Sequence, residues 1–203
     1  MSALQLVVLA SGEGTNLQAV IDAIAAGRLD AEIVAVLCNR RDAGALARAE
    51  AAEISTVYAP LQPYRAQGRS RQDYDADLAE LVARFTPDWV VCLGWMHVLS
   101  PAFLTRFEGR VLNLHPALPG SFRGRDGIGE AWEAWQSGHV DRTGCMVHVV
   151  VPEVDAGPVL ATREVPFRAG EDREAFELRL HAAEHDLVVD VLTALACGDA
   201  PAH

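Results

Sequence analysis

The sequence contains no lysine, and all seventeen of its basic residues are arginine. This absence excludes a Schiff base between a lysine and pyridoxal phosphate, and it excludes the phosphate-binding lysine of a P-loop. Any phosphate group must therefore be bound by backbone N–H groups or by Arg, His and hydroxyl side chains.

Positive charge and paired cysteines are also scarce. The formal net charge of -11 argues against a nucleic-acid surface, which needs clustered basic residues. The four cysteines form no close pairs of the kind that metal sites and redox motifs use, so we expect buried thiols in a reducing cytosol. There is no basic leader and no membrane-spanning apolar run. We expect a cytoplasmic protein, a monomer or homodimer, that binds small molecules and neither nucleic acid nor membrane.

Short apolar runs alternate with helical patterns. In the first half the predicted strands are 6–10, 33–37, 56–58 and 89–93, and the predicted helices are 17–26, 45–52 and 74–85. The second half gives strands at 111–114, 144–151 and 159–165, with helices at 130–136 and 173–196. This alternation predicts an α/β fold, a doubly wound, mostly parallel sheet, with an antiparallel hairpin and a long C-terminal helix following.

The helix at 74–85 has the clearest pattern. Its apolar residues recur at helical spacing, while Asp73, Asp75, Asp77 and Glu80 fall on the polar side or in the first turn. The stretch 59–72 before it holds several arginines and is predicted to be a long loop, either a binding loop or a solvated surface loop.

Ser11-Gly12-Glu13-Gly14-Thr15-Asn16 follows the first strand and opens the first helix. Glycines expose backbone N–H groups and a helix N-terminus adds positive potential, so the turn can hold one phosphate. The dinucleotide fingerprint fails, because Leu17 replaces its third glycine and no acidic residue ends the second strand. A tight strand-to-helix turn without a ligand is the alternative interpretation.

Asn113 and His115 flank Leu114 at the end of a predicted strand, so their side chains share one face. Open α/β sheets bind ligands at this end. An Asn amide can donate to a developing oxyanion, and an imidazole can move a proton near neutrality. Asp155, in the constrained Asp155-Ala156-Gly157-Pro158 turn, can orient and charge that imidazole. Together they predict acyl transfer, and His148 is a candidate supporting residue or a satisfied core histidine.

The H-x-x-E-H pattern of inverted zinc peptidases occurs at His181, Glu184 and His185. Such a site needs a third protein ligand further along the chain, and few residues follow. The apolar stripe of the same helix already explains its pattern. A zinc hydrolase is therefore the weaker alternative, and we expect no metal.

Over nearly its whole length the chain resembles the glycinamide ribonucleotide formyltransferases, a branch of the folate-dependent formyltransferase family. Four segments carry the resemblance: 11–18, 93–101, 113–118, and 147–158 with its Val-His and Asp-Ala-Gly-Pro runs. The Asn, His and Asp set at this spacing is specific to the wider group. The length favours this branch, because the transfer-RNA formyltransferases carry an extra C-terminal domain and the deformylases an extra N-terminal one.

The resemblance implies one Rossmann-like formyltransferase domain over 1–203, with a phosphate-binding half at 1–100 and a catalytic, folate-binding half at 101–203. It implies formyl transfer from the cosubstrate 10-formyltetrahydrofolate to the amine of glycinamide ribonucleotide in purine synthesis. Catalysis would use Asn113, His115 and Asp155. The implied acceptor-binding residues are Gly14, Thr15, Asn16, His181 and Glu184. The implied cosubstrate-binding residues are Arg71, Met96, His97, Val98, Leu99, Val151 and Glu153.

Two segments depart from the family pattern. Family members commonly carry Arg where His97 stands, and the run 119–125 differs from the usual Leu-Pro-x-Phe-Pro-Gly sequence. Other acceptor amines, such as an amino-sugar nucleotide, therefore stay open. A folate- or nucleotide-binding module without catalysis is the alternative outside the enzyme class.

Overall fold

The computed structural model describes residues 3–122 and 126–198. The first half runs β1 (Leu4–Ala10), α1 (Thr15–Ala25), β2 (Ala31–Cys38), α2 (Gly44–Ala51), β3 (Thr56–Tyr58), α3 (Gln62–Ala66), α4 (Arg71–Ala83) and β4 (Trp89–Cys92). The second half runs α5 (Pro101–Leu104), a 3-10 turn (Thr105–Phe107), β5 (Val111–His115), α6 (Gly127–Gln136), β6 (Arg142–Val149), β7 (Val159–Pro166) and α7 (Arg173–Ala196).

The strands of the described residues form one sheet in the order β3-β2-β1-β4-β5-β6-β7. The pairs from β3 to β5 are parallel, whereas β5–β6 and β6–β7 are antiparallel. The predicted fold class is confirmed, including the antiparallel hairpin of β6 and β7. Because β1 and β4 lie side by side in the centre, their carboxyl ends open a crevice next to the end of β5.

Strand alternation divides the core between the two faces of the sheet. Leu6 and Val8 of β1 point to one face, which α1, α2 and α7 cover, whereas Val7 and Leu9 point to the other, which α4 and α5 cover. All four side chains are buried. Helices on both faces shield the central strands from solvent, which explains the continuous apolar runs of these strands.

Helix α7 has the predicted bounds, and its apolar stripe is buried against the sheet. Phe176, Leu180, Leu187 and Val191 are buried. Asp172 caps its N-terminus, since its carboxylate accepts a hydrogen bond from the Ala175 backbone N–H at 2.8 Å. The helix is thus fixed at its start and along its length.

Two expectations about the stretch before β4 are wrong. Residues 59–72 are not one long loop, because they contain α3 and the start of α4, which a Ser70–Asp73 capping box begins at Arg71. Asp75 does not lie on the polar side, because its side chain is fully buried between α4 and the segment after β4. There it accepts hydrogen bonds from Arg71 and from the Ser100 backbone N–H.

Three of the cysteines, Cys38, Cys92 and Cys145, are buried as expected, but Cys197 is exposed just after α7. None of the helices in residues 3–122 and 126–198 is long and apolar enough to cross a membrane.

Candidate active site

A cavity of about 440 Å³ lies at the carboxyl ends of β1, β4 and β5, where parallel sheets place their ligands. Its size is within the range of small-molecule sites. The floor contains Asn113, His115, His148 and Asp155, one side is lined by the segment after β4, and the other side is lined by α7. The structure therefore brings together in one cavity groups that are far apart in the sequence.

The floor is a connected cluster of four polar side chains. The Nε2 atom of His115 lies 3.7 Å from Asp155 Oδ2, and the Nε2 atom of His148 lies 3.5 Å from Asp155 Oδ1. Asn113 Nδ2 lies 3.1 Å from His148 Nε2. His115 Nε2 also lies 3.1 Å from the Phe122 carbonyl oxygen, which can accept its proton in a hydrogen bond.

His148 orients the amide of Asn113. When the ring carries its proton on Nδ1, that N–H donates to the Val149 carbonyl oxygen at 3.1 Å, and Nε2 accepts from Asn113. The Asn113 amide has two N–H groups, so one remains for a ligand. The structure thus places His148 in both predicted settings, buried in the core and supporting the cluster.

Asp155 is held in place by an unusual turn. Its backbone is in the left-handed region, with φ of 51°, a conformation that Asp and Asn tolerate better than other non-glycine residues. Two residues later, a Cβ atom on Gly157 would overlap the Val149 carbonyl oxygen, so the chain passes too close to β6 for any side chain. This turn positions the carboxylate above the end of β5.

The N-terminus of α1 contributes one of its predicted ligand residues to the cavity. Asn16 lines the wall, and its Oδ1 atom is buried without a hydrogen-bond partner. Gly14 and Thr15 open the helix outside the lining residues. Gly14 has φ of 75°, and a Cβ there would lie 2.7 Å from the Ala45 Cα atom, so packing against α2 also requires this glycine.

The segment after β4 supplies an apolar wall. Of the residues predicted to bind the cosubstrate, Met96, His97, Val98, Leu99 and Val151 line the cavity, whereas Glu153 lies outside the lining. The Val98 side chain is 60% exposed, an unusual position for a large apolar group. His97 Nε2 lies 2.8 Å from Asn39 Nδ2, which connects this wall to the end of β2.

Arg71 is located differently from the prediction. It is the first residue of α4 rather than part of a loop, and it does not line the cavity. Its Nε donates to Asp75 at 2.9 Å, and its Nη2 donates to the Val98 carbonyl oxygen at 2.7 Å. In this arrangement Arg71 and Asp75 hold the apolar wall from behind.

Helix α7 lines the opposite side with four polar residues, of which two were predicted. His181 and Glu184 face the cavity, and His181 Nδ1 lies 2.6 Å from Glu184 Oε2. Sequence reasoning missed Arg173 and Glu177, which line the same side. Their spacing of four residues from each other, and of four from Glu177 to His181, could have identified a single helix face.

The zinc interpretation of this helix does not fit the arrangement. His181 is bonded to Glu184, and burial lowers the pKa of His185, whose Nε2 atom is buried without a partner. No group of three or more His, Cys, Asp or Glu side chains is placed to hold a metal ion anywhere in the described ranges.

Cys92 also lines the cavity, but it is not an activated nucleophile. Complete burial raises the pKa of its thiol to about 12, so the thiol stays protonated near neutrality. A reactive cysteine needs a lowered pKa. Cys92 is therefore not a candidate nucleophile, and the Asn, His and Asp cluster is the candidate for chemistry at this cavity.

A side-chain amide, an imidazole and a carboxylate lie together at the open end of a doubly wound sheet, and these are groups that acyl transfer uses. The sequence matches the family model described as "Formyl transferase" over residues 4–192. The chain belongs to the formyl transferase family.

Two curated relatives and one solved structure illustrate the similarity. The phosphoribosylglycinamide formyltransferase of Schizosaccharomyces pombe is 45% identical over 92% of this chain and 94% of its own length. The phosphoribosylglycinamide formyltransferase of Escherichia coli is 36% identical over 98% of this chain and 91% of its own length. The crystal structure of glycinamide ribonucleotide transformylase 1 from Symbiobacterium toebii superposes with a TM-score of 0.89 at 34% identity, covering 97% of this chain and 89% of that one. The branch of the family to which the comparisons point is that of the phosphoribosylglycinamide formyltransferases.

Proposed function

We propose that this protein transfers a formyl group from 10-formyltetrahydrofolate to the amine of glycinamide ribonucleotide, a step of purine synthesis. The names of its relatives support the reaction and the acceptor. The observation that carries the mechanism is the convergence of Asn113, His115 and Asp155 on one cavity floor.

The cavity fits a flat, partly apolar cosubstrate on one side. Met96, Val98 and Val154 are large apolar side chains that stay exposed and line the same cavity. An exposed apolar cluster of this kind is typical of a binding surface. We assign the 10-formyltetrahydrofolate ring system to this wall, against Val151. Arg71 acts there by holding the Val98 segment.

The opposite side fits a phosphorylated, hydroxylated acceptor. The unpartnered Asn16 Oδ1 atom can accept a hydrogen bond, and Glu184 can accept from ribose hydroxyls beside the imidazole of His181. The α1 N-terminus at Gly14 and Thr15 adds the positive potential of its free N–H groups. We assign the phosphate to this end of the cavity.

10-Formyltetrahydrofolate supplies an activated formyl group. A new C–N bond forms between the acceptor amine and the formyl carbon, the bond to the folate nitrogen breaks, and a proton moves from the amine to that nitrogen. Asn113 donates its remaining N–H to the formyl oxygen as negative charge develops there, and His115 donates a second hydrogen bond when it is protonated. Asp155 stabilises the imidazolium. Direct transfer leaves no group attached to the enzyme.

The acceptor is tested by a steady-state assay that follows loss of 10-formyltetrahydrofolate by absorbance. We expect turnover with glycinamide ribonucleotide and background rates when it is omitted or replaced by an amino-sugar nucleotide. Turnover only with the amino-sugar nucleotide would overturn the acceptor. Binding without turnover of either amine would identify a non-catalytic module.

We further propose that the enzyme works in the cytoplasm as a monomer or homodimer, without nucleic acid or a membrane surface. The net charge of -11 and the small-molecule character of the cavity support this assignment. Light scattering at micromolar concentration tests the oligomeric state.

A further inference from the structure

The cavity side of α7 carries two successive ion pairs. Arg173 Nε lies 2.6 Å from Glu177 Oε1, and His181 Nδ1 lies 2.6 Å from Glu184 Oε2. Glu184 is buried, whereas the His181 side chain is 42% exposed. A buried carboxylate therefore has its nearest positive partner at the solvent edge, where the partner can gain and lose a proton.

The groups around His181 are mostly negative or neutral. On its own helix it faces Glu177, Glu184 and His185. The elements packed against α7 contribute Asn16 of α1 and His148 of β6, which line the cavity, and Cys145 of β6 and Arg163 of β7, which do not. Arg163 is engaged on the outer face by Asp186 and Asp190. Beyond these, Asp126 and Arg173 lie along the same cavity wall, and His115 and Asp155 lie on its floor.

We propose that His181 is a positioning residue for Glu184, and that its positive charge strengthens acceptor binding, so that binding weakens when the ring loses its proton. Protonated His181 holds Glu184 Oε2 and leaves Oε1 to accept from an acceptor hydroxyl. It also offsets the charge of an anionic acceptor beside a buried carboxylate. This inference rests on the proposed function, and it goes beyond it by making acceptor affinity depend on one ring.

The direction of the pH dependence follows from the same contacts. The hydrogen bond to Glu184 raises the pKa of His181 above its ordinary value of 6.5, whereas burial lowers the pKa of His185. His181 is thus the histidine of this pair that keeps its proton to the higher pH. Acceptor binding is expected to be strong below the raised pKa of His181 and to weaken as the pH rises through it.

The test compares the dissociation constant of glycinamide ribonucleotide, measured by calorimetry from pH 6 to 9, with the pH profiles of KM and kcat. The variants are His181→Gln, which cannot become charged, and His181→Lys, which stays charged across this range. His185→Gln and His139→Gln are matched controls, because His139 is exposed and lies outside the cavity lining. The phosphate and amine of the acceptor also titrate, but they contribute equally in every variant.

Between pH 6 and pH 9 we expect the affinity of wild type to fall about tenfold more than that of His181→Lys. This is the effect expected from the loss of one charge-assisted hydrogen bond. His181→Gln should bind weakly throughout, with the difference in KM rather than kcat. Wild-type pH dependence that persists in His181→Gln, or that disappears in His185→Gln, would overturn the role of His181. Formyl transfer would still occur in that case, whereas absence of transfer in wild type would contradict the proposed function itself.

Discussion

At the scale of single residues, the site depends on the backbone of 155–157 as much as on side-chain identity. Asp155 adopts a left-handed conformation, and Gly157 passes against the Val149 carbonyl oxygen. Such local constraints are retained where the surrounding structure supports them, and they are common at functional sites. Here they bring a carboxylate from this loop over two imidazoles.

Gly157→Ala should therefore lower stability. Its Cβ would overlap a backbone oxygen, so the loop must shift, and we expect a loss of about 1–3 kcal/mol in the free energy of unfolding. Gly12→Ala is the matched control, because a Cβ at Gly12 meets nothing within 4 Å and its backbone is not left-handed. Urea unfolding measures both. Equal stability of the two variants would show that the loop accommodates a Cβ atom at residue 157 without strain.

Most of the residues of the cavity floor could be predicted from the sequence. Asn113 and His115 share a strand face because side chains alternate, and Asp155 follows from its turn residues. The contact between His148 and Asn113 could not be predicted, because it depends on the antiparallel register that pairs β5 with β6. Register between distant strands has no local signal in the chain.

At the scale of elements, α4 controls the position of the apolar wall. Asp75 is buried and joins Arg71 to the Ser100 backbone N–H, while Arg71 reaches the Val98 carbonyl oxygen. Helical periodicity could not predict this, because a carboxylate on a helix usually faces solvent. One of its two partners, the Ser100 backbone N–H, belongs to the segment after β4, which only the tertiary fold brings close to α4.

Two aspartates of α4 each pair with an arginine, which allows a controlled comparison. Asp75→Ala leaves a buried N–H and a partly buried guanidinium without their partner, so we expect a loss of about 2–4 kcal/mol and a raised KM for the cosubstrate. Asp77→Ala removes an exposed pair with Arg69 and a hydrogen bond from Tyr64, so it should cost much less stability than Asp75→Ala and leave KM unchanged. Thermal unfolding and the KM for 10-formyltetrahydrofolate give the two readouts. A wild-type KM in a folded Asp75→Ala protein would contradict the positioning role.

Helix α7 shows what helical periodicity can predict and what it cannot. Its bounds and apolar stripe are confirmed, since a long amphipathic pattern is a strong signal. Its polar stripe from Arg173 to Glu184 was only half recognised, because polar residues at helical spacing are usually solvated. Only the cavity distinguishes this face from an ordinary surface.

At the scale of the whole molecule, the type of sheet follows from the alternation of strands and helices followed by a hairpin. That alternation predicted a doubly wound sheet with an antiparallel extension, and the structure has this arrangement. Short elements such as α3 and α5 were missed because a single turn carries no periodicity. The altered run 119–125 can be assessed only in part, since residues 123–125 lie outside the described ranges.

The molecule should lose stability in acid. Hydrogen bonds from Tyr64 and Arg69 lower the pKa of Asp77, and the hydrogen bond from Arg179 lowers the pKa of Glu171, from ordinary values of 3.8 and 4.5. Groups with lowered pKa values stabilise the fold above their ordinary values and lose that effect as pH falls through the lowered ones. We expect a smaller free energy of unfolding at pH 3 than at pH 6. Equal urea midpoints at both would contradict this linkage.

The most direct measurement is the kcat of formyl transfer to glycinamide ribonucleotide by Asn113→Ala, together with its thermal midpoint. If Asn113 donates to the formyl oxygen, kcat should fall about a hundredfold or more, the usual effect of removing one oxyanion donor, while the protein stays folded. A folded Asn113→Ala protein with a kcat close to wild type would contradict the account.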